Sequence, residues 1–299
     1  MAVHEGFRTT TVGLRDCFPL RLYHKAKRLG AWDPAAVDFT QDRRDWEGLD
    51  ELQQQTILSL TSLFAAGEEA VTLDLLPLVL AIAREGRVEE EMYLTTFLYE
   101  EAKHTELFAR FLVEVAGSPP DLERFHVASY KKVFYDELPA TMERLLTDPS
   151  RDALARASVT YNMIVEGVLA ETGYHSYHES LAANRLMPGL CAALVDIKRD
   201  ESRHIAYGVY LLSRLVAEDA AIWDVIESRM EELFPFALGV VSETFSMYEN
   251  GVTPFGLEQS MFTDYASSQF ARRYSRIERS RGRTLAEVDA IAEEEAAAA

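Results

Sequence analysis

Two copies of one arrangement of charge, set inside apolar helical stripes, constrain this chain more than anything else in it. Glu68 is followed 33 residues later by Glu101-Ala-Lys-His104, and Glu166 is followed 35 residues later by Glu201-Ser-Arg-His204. A Glu and a His three positions apart share one side of a helix. Each of the six interrupts a hydrophobic stripe at helical spacing. The stripes are Leu60, Phe64, Glu68, Val71 and Leu75; Phe97, Glu101, His104, Phe108 and Leu112; Val159, Met163, Glu166 and Ala170; and, less regularly, Leu194, Ile197, Glu201, His204 and Val209. Four unpaired carboxylates in such a core are prohibitively costly. Two divalent cations supply the four positive charges that cancel them while both imidazoles stay neutral. Carboxylate and imidazole donors together suit iron or manganese. The expected product is an all-α bundle of long helices with two metal ions in its core, bound by Glu68, Glu101, His104, Glu166, Glu201 and His204.

The bare motif is weak, because composition alone yields about one Glu-x-x-His by chance. Glu123-Arg-Phe-His126 is such a match, and with no Glu on a helix upstream it reads as surface. Glu69 competes with Glu68, but its stripe is Ala65, Leu73 and Leu76, whereas Glu68 shares one with Phe64, Val71 and Leu75. His175 and His178, near Glu171 and Glu179, lie two or more turns beyond Glu166 among Ser and Tyr, and read as a polar surface.

Helical patterns fill nearly the whole chain: about Leu14 to Leu29, Leu49 to Arg84, Val88 to Val115, shorter pieces from Asp121 to Leu146, then Ser150 to Leu181, Pro188 to Val216, Asp219 to Tyr248 and Gly256 to Arg273. Four exceed about 25 residues, far above the usual three turns, and long helices joined by short turns imply a bundle. Residues 1–285 read as a single domain, and 286–299, rich in Ala and Glu, as a frayed or disordered tail. No run of about 18 uncharged apolar residues exists, so no membrane span is expected. The first eleven residues carry no secretory pattern. Cys17 and Cys191 are too few for a disulfide framework and fit a reducing cytoplasm. The formal charge of −19 disfavours nucleic-acid backbone as a partner.

The chain resembles the ribonucleotide reductase small-subunit superfamily, within the ferritin-like fold, over about Trp32 to His204. Beyond the six ligands, Trp32-Asp-Pro-Ala-Ala-Val-Asp38 followed by Asp42-Arg-Arg-Asp45 looks like the segment before the first ligand helix. Asp200 matches the aspartate that links a ligand histidine to a tryptophan, here Trp32, which implies His104, Asp200 and Trp32 as an electron route. Three departures separate the chain from a standard small subunit. Phe108 stands where the radical tyrosine sits, the first ligand is Glu where many have Asp, and the C-terminus lacks the aromatic tail used to dock the catalytic subunit.

The pattern is more similar to the ligand-binding oxidases of that superfamily. That resemblance implies a manganese–iron centre (alternatively two irons), a long-chain fatty acid as ligand, dioxygen as oxidant, and a valine–tyrosine ether crosslink. Manganese would take Glu68, Glu101 and His104, and iron Glu166, Glu201 and His204. Val71 and Tyr161 match the crosslinked pair, and Tyr174 a tyrosine near the ligand. Tyr161 lies five residues before Glu166, about 140° round an ideal helix, so it reaches the site only if a π-type bulge intervenes. The implied function is oxidation of a C–H bond by dioxygen in a cytoplasmic homodimer. The alternatives are a reductase small subunit with a manganese–iron centre, and a non-enzymatic metal or lipid binder.

Overall fold

The computed structural model describes the backbone of residues 6–298 and the side chains of residues 6–293. Four long helical rods surround the core. The first, α3 (Glu51–Arg84), follows two short helices, α1 (Phe18–Leu29) and α2 (Thr40–Gly48). Its start is written in Asp50-Glu-Leu-Gln53: Asp50 Oδ1 accepts from Gln53 N at 2.8 Å, and Gln53 Oε1 accepts from Asp50 N at 3.0 Å, a reciprocal cap. The turn at Gly86 (φ +71°) reverses the chain into α4 (Val88–Glu114). Glu89, Glu90 and Glu91 fill the first turn of α4, where the helix dipole favours negative charge.

Helices α5 (Ala128–Lys131) and α6 (Leu138–Arg144), joined by a π-helical turn over Lys132–Glu137, cross one face of the bundle. The third rod is composite: α7 (Arg151–Ser158), a π-helical stretch Val159–Ala170, α8 (Glu171–Tyr177) and a second π-helical turn His178–Ala182. The fourth is α9 (Pro188–Glu218). Its N-terminus is held from outside by the Asp42-Arg-Arg-Asp45 segment. Asp42 accepts from Gly189 N (2.9 Å) and Leu190 N (2.7 Å), and Asp45 from Met187 N (2.7 Å), satisfying donors that a helix start leaves open. A Cβ on Gly189 would come 2.4 Å from Asp38 O, so only glycine permits this approach.

Helices α10 (Ile222–Phe245) and α11 (Gln259–Glu278) pack over the composite rod. Among the described residues no strand forms, only an isolated bridge between Val252 and Glu258. Helix ends agree with the periodic segments to within a few residues, the first helix beginning at Phe18, not Leu14.

The tail differs from expectation. Residues Leu285–Ala298 form α12, which lies along α9. Thr284 and Glu287 cap its start, with Thr284 N donating to Glu287 Oε2 at 2.8 Å and Glu287 N to Thr284 Oγ1 at 3.4 Å. Val288 is buried, Asp289 accepts from Phe18 N at the start of α1, and Glu293 pairs with Arg21. Ala and Glu are strong helix formers, and one apolar anchor plus two polar ties dock the helix they make.

Asp74 on α3 illustrates the cost of charge in this core. Burial, then the Glu143 charge, pushes its carboxyl up to about 6. A raised carboxyl favours the folded state below the unfolded value and loses that contribution as pH rises through the folded one. Asp74→Asn is therefore expected to raise the unfolding free energy at pH 7.5 by about 1 kcal/mol after allowing for partial solvation, and with it the midpoint, and to leave both unchanged near pH 4. Equal midpoints at both pH values in chemical denaturation would contradict this.

Candidate metal centre

The six expected ligands converge, all at most 5% exposed. Glu68 comes from α3, Glu101 and His104 from α4, Glu166 from the π-helical stretch, and Glu201 and His204 from α9. They form two overlapping groups whose donor atoms lie within 4.8 Å of one another: Glu68, Glu101, His104 and Glu201, and Glu101, Glu166 and His204. Around His104 Nδ1 stand Glu201 Oε1 (3.4 Å), Glu68 Oε2 (3.5 Å) and Glu101 Oε2 (3.6 Å). Around His204 Nδ1 stand Glu101 Oε1 (3.4 Å), Glu201 Oε2 (3.6 Å) and Glu166 Oε1 (3.7 Å). Glu101 and Glu201 thus each face both imidazoles. Glu69 is exposed, so the choice between neighbours falls on Glu68.

This cluster demands positive charge at its centre. Burial pushes the Glu68 carboxyl up to about 8 and Glu166 well above the usual range, the latter also repelled by Glu201. For Glu101 and Glu201 burial acts the same way, but the close approach of both imidazoles outweighs it and holds them low. Burial would lower both histidines, yet the surrounding carboxylates raise them well above the usual value. Five buried atoms, Glu101 Oε2, Glu166 Oε1, Glu201 Oε2 and Nδ1 of His104 and His204, have no hydrogen-bond partner. Buried polar atoms left unpaired are rare. Facing one another in two carboxylate–imidazole sets, they fit two metal ions.

A second layer fixes the imidazoles, and it is crossed. His104 Nε2 lies 3.4 Å from Asp200, the residue before Glu201, while His204 Nε2 lies 2.9 Å from Glu100, the residue before Glu101. Each carboxylate accepts the ring N–H, which leaves Nδ1 free for metal. Asp200 also accepts from Trp32 Nε1 at 2.7 Å and Lys103 Nζ at 3.0 Å, and Trp32 stacks on His104 with centroids 6.1 Å apart. Arg203 bridges Glu100 and Asp200. Glu100, Lys103 and Arg203 were not singled out by sequence reasoning, although a signal existed. Glu100-Glu101-Ala-Lys103-His104 and Asp200-Glu201-Ser-Arg203-His204 repeat acid, Glu, small residue, base, His.

The π-helical stretch settles the placement of Tyr161. Closing i to i+5 turns it toward the same side as Glu166, and its Oη donates to Glu101 Oε1 at 3.1 Å and lies 3.5 Å from the Val71 carbonyl. In the same stretch Ser158 Oγ donates to Asn162 Oδ1 (2.9 Å), and Asn162 Nδ2 to Glu166 Oε2 (3.0 Å). Two glycines make room. A Cβ on Gly208 would meet Asn162 Cβ at 2.2 Å, and one on Gly167 the Asn162 carbonyl at 2.9 Å. Tyr174 Oη lies 3.2 Å from Glu201 Oε1 and 3.4 Å from Glu68 Oε1. Phe108 stacks on Phe64 at 5.2 Å.

Residues read as bystanders stay apart. Glu123 is exposed; His126 is buried but bonds Ser62 and Tyr135. His175 stacks on Tyr265, and His178 pairs with Glu179. Beside the cluster is an apolar cavity of about 130 Å³. Glu68, Glu101, Glu166 and Glu201 form its inner end, and Phe64, Val71, Phe134, Leu169, Val240 and Phe262 are among its walls.

The family model described as "Ribonucleotide reductase, small chain" matches residues 20–278. Among solved structures, a Tyr-to-Phe variant of an R2-like ligand-binding oxidase with aerobically reconstituted Mn/Fe cofactor is 39% identical, with a TM-score of 0.86 over 91% of this chain and 98% of that one. A Gly-to-Leu variant with anaerobically reconstituted Mn/Fe cofactor is 38% identical, with a TM-score of 0.88 over 92% and 98%. The chain belongs to the ribonucleotide reductase small-chain family, among its R2-like ligand-binding oxidases. As such it is a metal-dependent oxidase with a ferritin-like helical fold. In this oxidase the buried carboxylate–histidine cluster fits a dimetal site.

Proposed function

We propose that this chain binds one manganese ion, through Glu68, Glu101 and His104, and one iron ion, through Glu166, Glu201 and His204, and uses dioxygen to oxidise a C–H bond by two electrons. Glu101 and Glu201, each facing both imidazoles, would be shared. Bound there, the metals would supply redox chemistry toward dioxygen, two of its electrons coming from the oxidised C–H bond. The protein's own groups do the rest: they hold the metals, keep water out with an apolar wall, and keep the Tyr161 hydroxyl, raised well above its usual value by burial, protonated against Glu101. Trp32, Asp200 and His104 form a continuous contact suited to electron delivery from the protein's exterior.

The observation that carries the ligand reading is the cavity, apolar along its walls and lined by four carboxylates at its inner end. Such a shape suits a long acyl chain whose carboxylate reaches the metals, that is, a long-chain fatty acid. Solvent extraction of purified, metal-loaded protein followed by mass spectrometry should recover about one acyl chain per protein chain. Leu169→Trp should exclude it while both metals remain. Metallated protein that yields no acyl chain would remove the ligand reading.

A homodimer accords with exposed apolar side chains on the long helices: Leu73, Leu76 and Leu80 on α3, and Tyr99 and Val113 on α4. Leu73, Leu76 and Leu80 recur at helical spacing on one face of α3, and an exposed apolar face of that kind suits an interaction site. Light scattering is expected to give twice the mass of one chain, and Leu73→Glu with Leu76→Glu to give one. A monomeric parent at micromolar concentration would refute this. The low cysteine content, with Cys17 and Cys191 both free, accords with a cytoplasmic setting. Among the described residues no helix is long and apolar enough to cross a membrane.

The runner-up, a small subunit that generates a radical for a partner reductase, is favoured by the Trp32–Asp200 contact. Phe108, stacked on Phe64 where a radical tyrosine would sit, weighs against it.

A further inference from the structure

The two metal positions look equivalent in sequence, each with a Glu-x-x-His and each with an acid before the motif's Glu. Their hydrogen bonding is not equivalent. Asp200 Oδ2, which faces His104, is divided among three donors: Trp32 Nε1 at 2.7 Å, Lys103 Nζ at 3.0 Å and His104 Nε2 at 3.4 Å. Glu100 Oε2 takes one donor, His204 Nε2, at 2.9 Å. Arg203 does not create the difference, because it pairs with both acids through their other oxygens, Asp200 Oδ1 and Glu100 Oε1.

An oxygen already accepting from a lysine and an indole offers little to a third donor. The undivided acceptor pulls harder on its imidazole N–H and raises electron density at the opposite ring nitrogen. Iron outranks manganese in affinity for nitrogen and oxygen donors, and a stronger imidazole widens that gap. Glu100 is also rigidly held. It is buried, a Cβ on Gly30 would sit 2.2 Å from its Oε1, and Phe97 stacks on His204 at 3.6 Å, fixing the ring that Glu100 addresses. The geometry points to Glu100 as the positioning residue that makes the two metal positions different: by accepting from His204 alone, it strengthens that imidazole and biases its position toward iron.

This rests on the two-metal reading, and the test separates the two. Full-length protein is loaded without oxygen in equimolar Mn(II) and Fe(II), and each position is identified by anomalous diffraction at both metal edges. Glu100→Gln keeps the size of the side chain but offers a weaker acceptor. The manganese-to-iron ratio at the His204 position should rise about fivefold, within the range that partners of metal-bound histidines command, with less than about a twofold change at the His104 position. Asp200→Asn should instead act mainly at the His104 position. Gly30→Ala, which pushes the Glu100 carboxylate aside, should act in the same direction as Glu100→Gln and gives a second route if that variant does not fold. An unchanged ratio at His204 in both variants, or equal shifts at both positions, overturns the role of Glu100. Wild-type protein with fewer than two metals overturns the two-metal reading instead.

Discussion

Glu101→Ala and Glu201→Ala are each expected to take the protein from about two metal ions per chain to nearly none. Either carboxylate has one oxygen 3.4 Å from one imidazole Nδ1 and the other oxygen 3.6 Å from the second. Removing it withdraws a donor and a charge from both positions together. Binding at such a site is linked to the protonation of its ligands, and Glu68 and Glu166, raised by burial, must still give up their protons to a metal that has lost a shared donor. Glu68 and Glu166 differ, because among the imidazoles Glu68 approaches only His104 and Glu166 only His204. Their alanine variants should keep about one metal each, at opposite positions. Elemental analysis of desalted protein measures this directly. Full loading of Glu101→Ala and Glu201→Ala would sink the shared-ligand arrangement, and with it the assignment of the cluster.

Oxygen treatment of reduced, metal-loaded protein should join the Tyr161 oxygen to the Val71 side chain. The phenol loses its O–H hydrogen and the valine a C–H hydrogen, and the two electrons and two protons pass to dioxygen. A tertiary C–H is weaker than a primary one, which favours the valine β-carbon. The geometry suits the step. Tyr161 Oη lies between Glu101, an acceptor for its proton, and the Val71 backbone, and both side chains are buried at the same end of the core. Peptide mass spectrometry should find the segments bearing Val71 and Tyr161 linked, about two mass units below their sum. Tyr161→Phe should abolish the link yet retain both metals, and Val71→Ala should abolish it by leaving only primary C–H bonds. Two separate, unmodified peptides from fully metallated, oxygen-exposed protein would exclude the crosslink and leave the dimetal site standing.

Much of this was legible in the residues. A helix repeats every 3.6 residues, so a carboxylate that interrupts an apolar stripe announces its own burial. That is why Glu68 could be told from Glu69, and why the first two Glu-x-x-His pairs could be told from Glu123 and His126. The caps at Asp50 and Thr284 are equally local. The last of these lies at the start of the supposed tail, which in the structure is the helix α12.

What the sequence by itself determined is the set of long helices, their buried faces and the six carboxylates and imidazoles that point inward, since each is a property of one helix and its neighbours in the chain. Three matters were left to the tertiary structure. The π-helical register over Val159–Ala170 rests on space that Gly167 and Gly208 leave for Asn162. That Glu101 and Glu201 each face both imidazoles depends on how closely α4 and α9 approach. The crossed pairs, His104 with Asp200 and His204 with Glu100, join residues about a hundred positions apart. Periodicity tells which way a side chain points from its own helix. Which atom it meets depends on the distance and angle between two helices, and those are set by the packing of every side chain between them.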